Sequence, residues 1–262
     1  MTVFLHEMRQ NAKMLAVWSV VIGGMVVLCV AMFPDISAQS EDFTAMFSSL
    51  GVFTEAFGMD QLSIGEPLGF FGVECGAVLG IGGAFFAAYL GVRMLSKEES
   101  EHTAEFLLTH PVSRAGVVAA KLAAVVVCIV LLNAFVAACS VASFAAIDEA
   151  IDWEPFWLFL GAQALMQLEL ACVCFGASAV LGRGSVGVGL GFAALLYFAN
   201  IVANLSENAE WLRFVTPFAY TDAADIITDV ALDPLLVGLG MAYAVVGLAV
   251  AFVVYARKDV RA

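Results

Sequence analysis

Long apolar runs broken by short polar stretches dominate the chain, and they set its architecture before any single residue does. Six runs reach the roughly 20 apolar residues that a helix needs to cross about 30 Å of hydrocarbon. They fall at about 14–33, 69–92, 117–146, 156–181, 186–205 and 235–256. The first is longer than the roughly 7–15 apolar residues of a cleaved signal, so it reads as a retained span. The polar connections carry less pattern. In residues 221–233 (TDAADIITDVALD), Ile226, Ile227, Val230 and Ala231 share one face at helical spacing, which predicts a short helix against the outer membrane surface before the sixth span. Segments 34–68 and 206–234 are too short to fold alone, so residues 1–262 read as a single transmembrane domain.

Composition agrees with the pattern. Hydrophobic residues make up 62% of the 262-residue chain and charged residues 13%, with mean hydropathy +0.96. Soluble domains hold about 45–50% apolar and about 25% charged residues. A secreted enzyme, a disordered scaffold and, with a net charge of −13, a nucleic-acid binder are poor fits. The fold class is an all-α integral membrane protein.

Charge then sets direction. With the N-terminus in the cytoplasm, Arg9, Lys13, Arg93, Lys97, Arg114, Lys121, Arg183, Arg257, Lys258 and Arg261 all lie inside, and only Arg213 of the 11 basic residues lies outside. Both termini are therefore expected in the cytoplasm of a multi-pass cell-membrane protein. The outer connections are acidic, from Asp35 to Asp233, as an outer face short of Lys and Arg must be to stay wet.

Soluble catalytic chemistry is missing. The chain has no Gly-Lys pair and so no phosphate loop, no GxSxG elbow, and only a truncated HExxH, with Gln10 where the second His would stand. No catalytic, cofactor-binding or metal-ligating residue is expected. All six cysteines (Cys29, Cys75, Cys128, Cys139, Cys172 and Cys174) fall in apolar runs and read as free packing residues. Two carboxylates lie inside spans: Glu74 in the outer third of the second and Glu169 near the middle of the fourth. A charge there costs about 2.5–3.5 kcal/mol by insertion scales, so each is paired, protonated or in a watery cavity. Glu74, Glu169, Gln163 and Gln167 are candidates for a translocation pathway. On the other reading, the carboxyls are protonated and hydrogen-bonded to a neighbouring helix through Gln163, Gln167 or Asn133. Gly72, Gly76 and Gly80 form two GxxxG steps, and Gly187 and Gly191 a third. Such strips allow close helix packing, either within one chain or between subunits.

The most informative connection is residues 96–121, SKEESEHTAEFLLTHPVSRAGVVAAK. Ser96 and Glu99 form a capping box, and Glu98, Glu99 and Glu101 suit the positive end of a helix. That helix carries Phe106, Leu107 and Leu108 and ends near His110, because Pro111 disfavours helical geometry before it. Ser113 can cap the third span. A short cytoplasmic helix with exposed apolar residues reads as a docking surface.

These residues resemble the signature of ABC-2-type ABC transporter permeases: an acidic pair, Gly-Thr-x-Glu-x-Leu-Leu, a Pro-Val-Ser-Arg turn and a later Lys. The matching positions are Glu99, Thr103, Glu105, Leu107, Leu108, Pro111, Val112, Ser113, Arg114 and Lys121, with His102 in place of the Gly. The N-terminal segment, with Phe4, Leu5, Met8, Ala12 and Leu15 against Glu7, Arg9 and Lys13, is similar to the family's interfacial elbow helix. The resemblance implies six spans, a cytoplasmic coupling helix between spans 2 and 3, and a short outer helix before span 6. It also implies a second permease subunit, as a homodimer or related heterodimer, and two copies of an ABC ATPase subunit that bind the ATP and Mg. The coupling residues it implies are Glu98, Glu99, Glu101, Thr103, Glu105, Phe106, Leu107, Leu108, Pro111 and Arg114. The function expected is an exporter's permease. The competing readings are an ion- or proton-coupled carrier using the intramembrane carboxylates, against which no inverted repeat is visible, and a non-transporting anchor for an ATPase.

Overall fold

A computed structural model of the chain describes residues 2–39, 62–97, 113–181 and 185–257, and among these every regular element is helical. All six expected spans are present. They are α1 (Thr2–Ser37), α2 (Pro67–Arg93), α3 (Arg114–Ala146), α4 (Trp153–Val180), α5 (Ser185–Leu205) and α7 (Pro234–Arg257). Between α5 and α7 lie two 3₁₀ segments, Glu207–Phe214 and Pro217–Thr221, and the short helix α6 (Ala223–Asp229).

Helix α1 has 36 residues and so runs about 54 Å, well beyond the hydrocarbon thickness. The amphipathic start expected as an elbow is the first few turns of this one helix, with no break before the span. Its polar face is not all in water, because Glu7 is buried.

Helix α4 is the centre of the bundle. It packs most extensively against α7 and α2, while α1 pairs with α3 and α5 with α2. The α4–α7 contact rests on glycine: a Cβ on Gly176 would lie 2.3 Å from the Gly247 carbonyl oxygen, so the two backbones touch. One cluster joins α2, α3 and α4, where the fully buried Phe71 ring sits 5.5, 5.4 and 6.1 Å from Phe144, Phe156 and Phe159.

Large apolar side chains such as Val20, Leu28, Leu131, Phe198 and Val245 face outwards, as lipid-facing residues of a span do. Trp153, Trp157 and Trp211 are exposed at the end of the bundle that holds residues 206–233, where amphipathic rings suit a membrane–water boundary. We call this the insertion end. The opposite end, the base, gathers the start of α1, the end of α2, the start of α3 and the end of α7.

Acidic residues of the insertion end also build its helices. Asp152, Asp222 and Asp233 accept hydrogen bonds from the first free backbone N–H groups of α4, α6 and α7. Arg213, the lone basic residue expected on this side, pairs with Asp225 at 3.3 Å.

The helix expected over 221–233 is shorter and deeper than its pattern implied. It stops at Asp229, because Val230 takes a left-handed conformation (φ 50°) and is exposed, as is Ala231. Ile226 is buried and Ile227 lies against Gly72, so α6 packs on the bundle instead of lying on its surface.

Candidate functional site: the clamped base and the polar interior

At the base, a buried ion cluster ties three helices. Glu7 of α1 receives the Lys97 ammonium on Oε2, and Lys121 of α3 approaches Oε1 at 3.0 Å. Lys97 also donates to Gln10 Oε1 (2.6 Å), and Lys121 to the Met94 carbonyl (2.7 Å). Glu7 is 1% and Lys121 0% exposed, so the charges are out of water and held by one another.

The same end fixes both roots of the 98–112 connection. Ser96 donates to the Val92 carbonyl (3.1 Å), finishing α2. On the far side Ser113 caps α3 as expected, accepting from the Gly116 N–H at 3.1 Å. Arg114 donates to the Ala256 carbonyl (3.2 Å) at the end of α7, where a cation meets the negative pole of the helix. Glu98, Glu99, Glu101, Thr103, Glu105, Phe106, Leu107, Leu108 and Pro111 lie outside the described residues. In the sequence Glu7 reads only as part of a polar face and Lys97 only as a cytoplasmic charge, with nothing to pair them.

In the interior, the four candidate pathway residues do not converge. Gln163 and Gln167 share the α4 face towards α2. Gln167 accepts from Asn133 of α3 (2.7 Å), and a Cβ on Gly83 would meet its amide nitrogen at 2.1 Å. The Gln163 Oε1 is buried without a hydrogen-bond partner among the described residues, as is the Asn200 Oδ1 of α5. Both residues line a polar cavity of about 90 Å³, together with Asn204, Tyr197, Asp222 and the three glycines 72, 76 and 80. A water needs at least about 10–15 Å³ by this measure, so the cavity has room for water.

The GxxxG strip of α2 is therefore partly a cavity floor. It runs through two π-helical turns, Phe71–Cys75 and Val78–Gly82, which widen the helix as often happens at functional sites. The strip in α5 works differently: Gly187 and Gly191 face open space, and Gly189 is the one pressed against Val92 of α2.

Glu169 faces the other way. Among the described residues it makes no hydrogen bond to Gln163, Gln167 or Asn133, the partners expected from α3 and α4. Instead it accepts a 2.9 Å hydrogen bond from the Tyr220 hydroxyl. Tyr220 belongs to Pro217–Thr221, a wholly buried segment of the insertion, pinned to α5 by the Thr216 hydroxyl on the Leu196 carbonyl (2.9 Å). Burial, followed by the Glu169 carboxylate, raises the Tyr220 phenol above its ordinary range, so it stays a donor. Glu74 is exposed on α2 between buried Val73 and Cys75, pointing out of the chain. All six cysteines are free thiols.

Six helices long and apolar enough to cross a bilayer, packed through glycines, define a multi-pass α-helical membrane protein. A family model described as "ABC-2 family transporter protein" matches residues 1–260, and the chain belongs to that family. No curated protein sequence matches it.

Proposed function

We propose that the chain is the membrane-spanning permease subunit of an ATP-driven exporter, with both termini and segment 98–112 in the cytoplasm. Two permease subunits form the passage, and two separate ATPase subunits bind the nucleotide. The observation that carries this reading is the clamped base. The connection bearing Phe106, Leu107 and Leu108 springs from roots tied to α1 through Lys97–Glu7, to α3 through Lys121, and to α7 through Arg114. A push on such a segment moves several spans as a rigid body rather than bending a loop.

Two further features support it. Glu74 points outwards at span depth, which suits a wet passage or a second subunit better than lipid. Glu74, Glu169 and the Gln163–Gln167 face sit in three separate places, which speaks for an external motor over a proton relay. The test is to purify the tagged chain from its own membranes in mild detergent. A subunit with a GxxxxGK[ST] motif and ATP hydrolysis should co-purify, and Phe106→Asp or Leu107→Asp should release both while the permease stays monodisperse. Undiminished co-purification in both variants overturns the docking role.

A further inference from the structure

Away from the base, a cavity of about 430 Å³ opens between α4, α5 and α7. This is within the roughly 300–1,000 Å³ range of small-molecule sites. Its walls are apolar and aromatic, among them Val173, Phe192, Leu196, Tyr243 and Val246, and no Lys, Arg or His lines it. Val246 and Tyr243 line it and are exposed, on a surface of lipid-facing type, so its opening lies on the side of the bundle.

One carboxyl group lies among these walls. Glu169 is 4% exposed, takes the Tyr220 hydroxyl on Oε2, and has no donor on Oε1 among the described residues. Space for the group is made by Gly240 of α7, where a Cβ would stand 2.1 Å from Oε2 and 3.0 Å from Oε1. An acid held this deep, half satisfied, beside an apolar slot, has the chemistry of a counter-ion for a charge arriving with a greasy tail.

We propose that this slot binds an amphiphilic amine. Its ammonium hydrogen-bonds to Glu169, and its alkyl or aryl body lies between Phe192, Leu196 and Val246. The assignment rests on the transport reading only for the amine's role as cargo, since binding itself needs no motor.

The test uses the full chain alone in phosphatidylcholine nanodiscs. Saturable binding of tritiated N,N-dimethyldodecylamine, dodecanol and dodecanoate is measured above partition into empty discs. The amine should bind saturably and about thirtyfold or more tighter than the alcohol, the scale of a buried charge pair. Glu169→Gln keeps the side-chain volume and should erase that preference while leaving alcohol binding intact. Val246→Trp, at an exposed wall position, should fill the slot and abolish saturable binding of both. Equal binding of amine and alcohol to the unsubstituted chain marks an acyl-chain groove and overturns the proposal, as does a preference that survives Glu169→Gln or amine binding that survives Val246→Trp. Because no ATPase is present, a failure here is separate from any failure of ATP coupling.

Discussion

Replacing Glu7 by Gln tests the ion cluster at the base, because this one carboxylate serves two ammonium groups. Two unit charges at the 3.0 Å of the Glu7–Lys121 contact attract by about 5–6 kcal/mol at an effective dielectric constant near 20. Desolvation cancels much of that in the intact cluster. Removing one partner leaves the desolvation in place, and such breaks cost about 3–5 kcal/mol. Glu7→Gln should therefore destabilise the chain by about that much. Lys121→Met should cost less, about 1–3 kcal/mol, since Glu7 keeps Lys97 and the Met94 carbonyl loses one donor. The double variant should fall short of the sum by about 0.5–3 kcal/mol, the coupling expected for residues in contact. Trp18, whose ring lies 6.1 Å from Phe86, reports α1 leaving α2, so denaturant unfolding in mild detergent can be followed by tryptophan fluorescence. The loss should change little with salt, because buried pairs are weakly screened. A loss below about 1 kcal/mol for Glu7→Gln, or strict additivity with Lys121→Met, would refute the cluster as a shared tie.

Glycine supplies a second contrast. Gly176→Ala forces a Cβ into the Gly247 carbonyl and should cost about 1–3 kcal/mol, whereas Gly187→Ala and Gly191→Ala meet open space and should leave the melting temperature of the single chain unchanged. Any effect of the latter two should appear in the oligomer distribution on size-exclusion chromatography. Val230→Gly relieves a β-branched residue at φ 50° and should stabilise by about 0.5–1 kcal/mol, read as a higher unfolding midpoint. Burial raises the Asp222 carboxyl above its ordinary range, against the opposing hydrogen bond from the Ala224 N–H. Its native form thus holds the proton more tightly than the unfolded form, and its contribution to stability falls as pH rises from the usual carboxylate range through the raised value. Asp222→Asn keeps the cap of α6 and should flatten that pH slope in melting curves, and an unchanged slope would contradict the assignment.

The spans were legible because lipid demands a long apolar helix and nothing else satisfies that composition; each of the six lies where its hydrophobic run does. Part of the interior was legible too. At 100° per residue, Gln163 and Gln167 lie about 40° apart on α4, while Glu169 is about 200° from Gln167. Helical geometry alone thus separates the two glutamines from the acid. The identity of the acid's partner was not legible. Tyr220 lies 51 residues further on, in a 3₁₀ segment with no periodic signal, and only the folded insertion brings it to Glu169. Lys97 meets Glu7 across 90 residues for the same reason. The π turns of α2 fall in a glycine-rich stretch whose apolar pattern reads as an ordinary helix, so the sequence carried no signal of them. In α5 the GxxxG spacing pointed at Gly187 and Gly191, but helix packing with α2 selected Gly189 between them.

The most direct measurement of the account places a photo-crosslinking amino acid at Leu107, in the connection rooted at the clamped base, and another at Trp211, exposed at the insertion end. Illumination of intact membranes should join Leu107 to a subunit carrying a GxxxxGK[ST] nucleotide loop, with the yield changing when ATP is supplied, and should give no such product from Trp211. Capture of the nucleotide-binding subunit from Trp211, or its absence from Leu107 under every nucleotide condition, would contradict a motor that acts through the base.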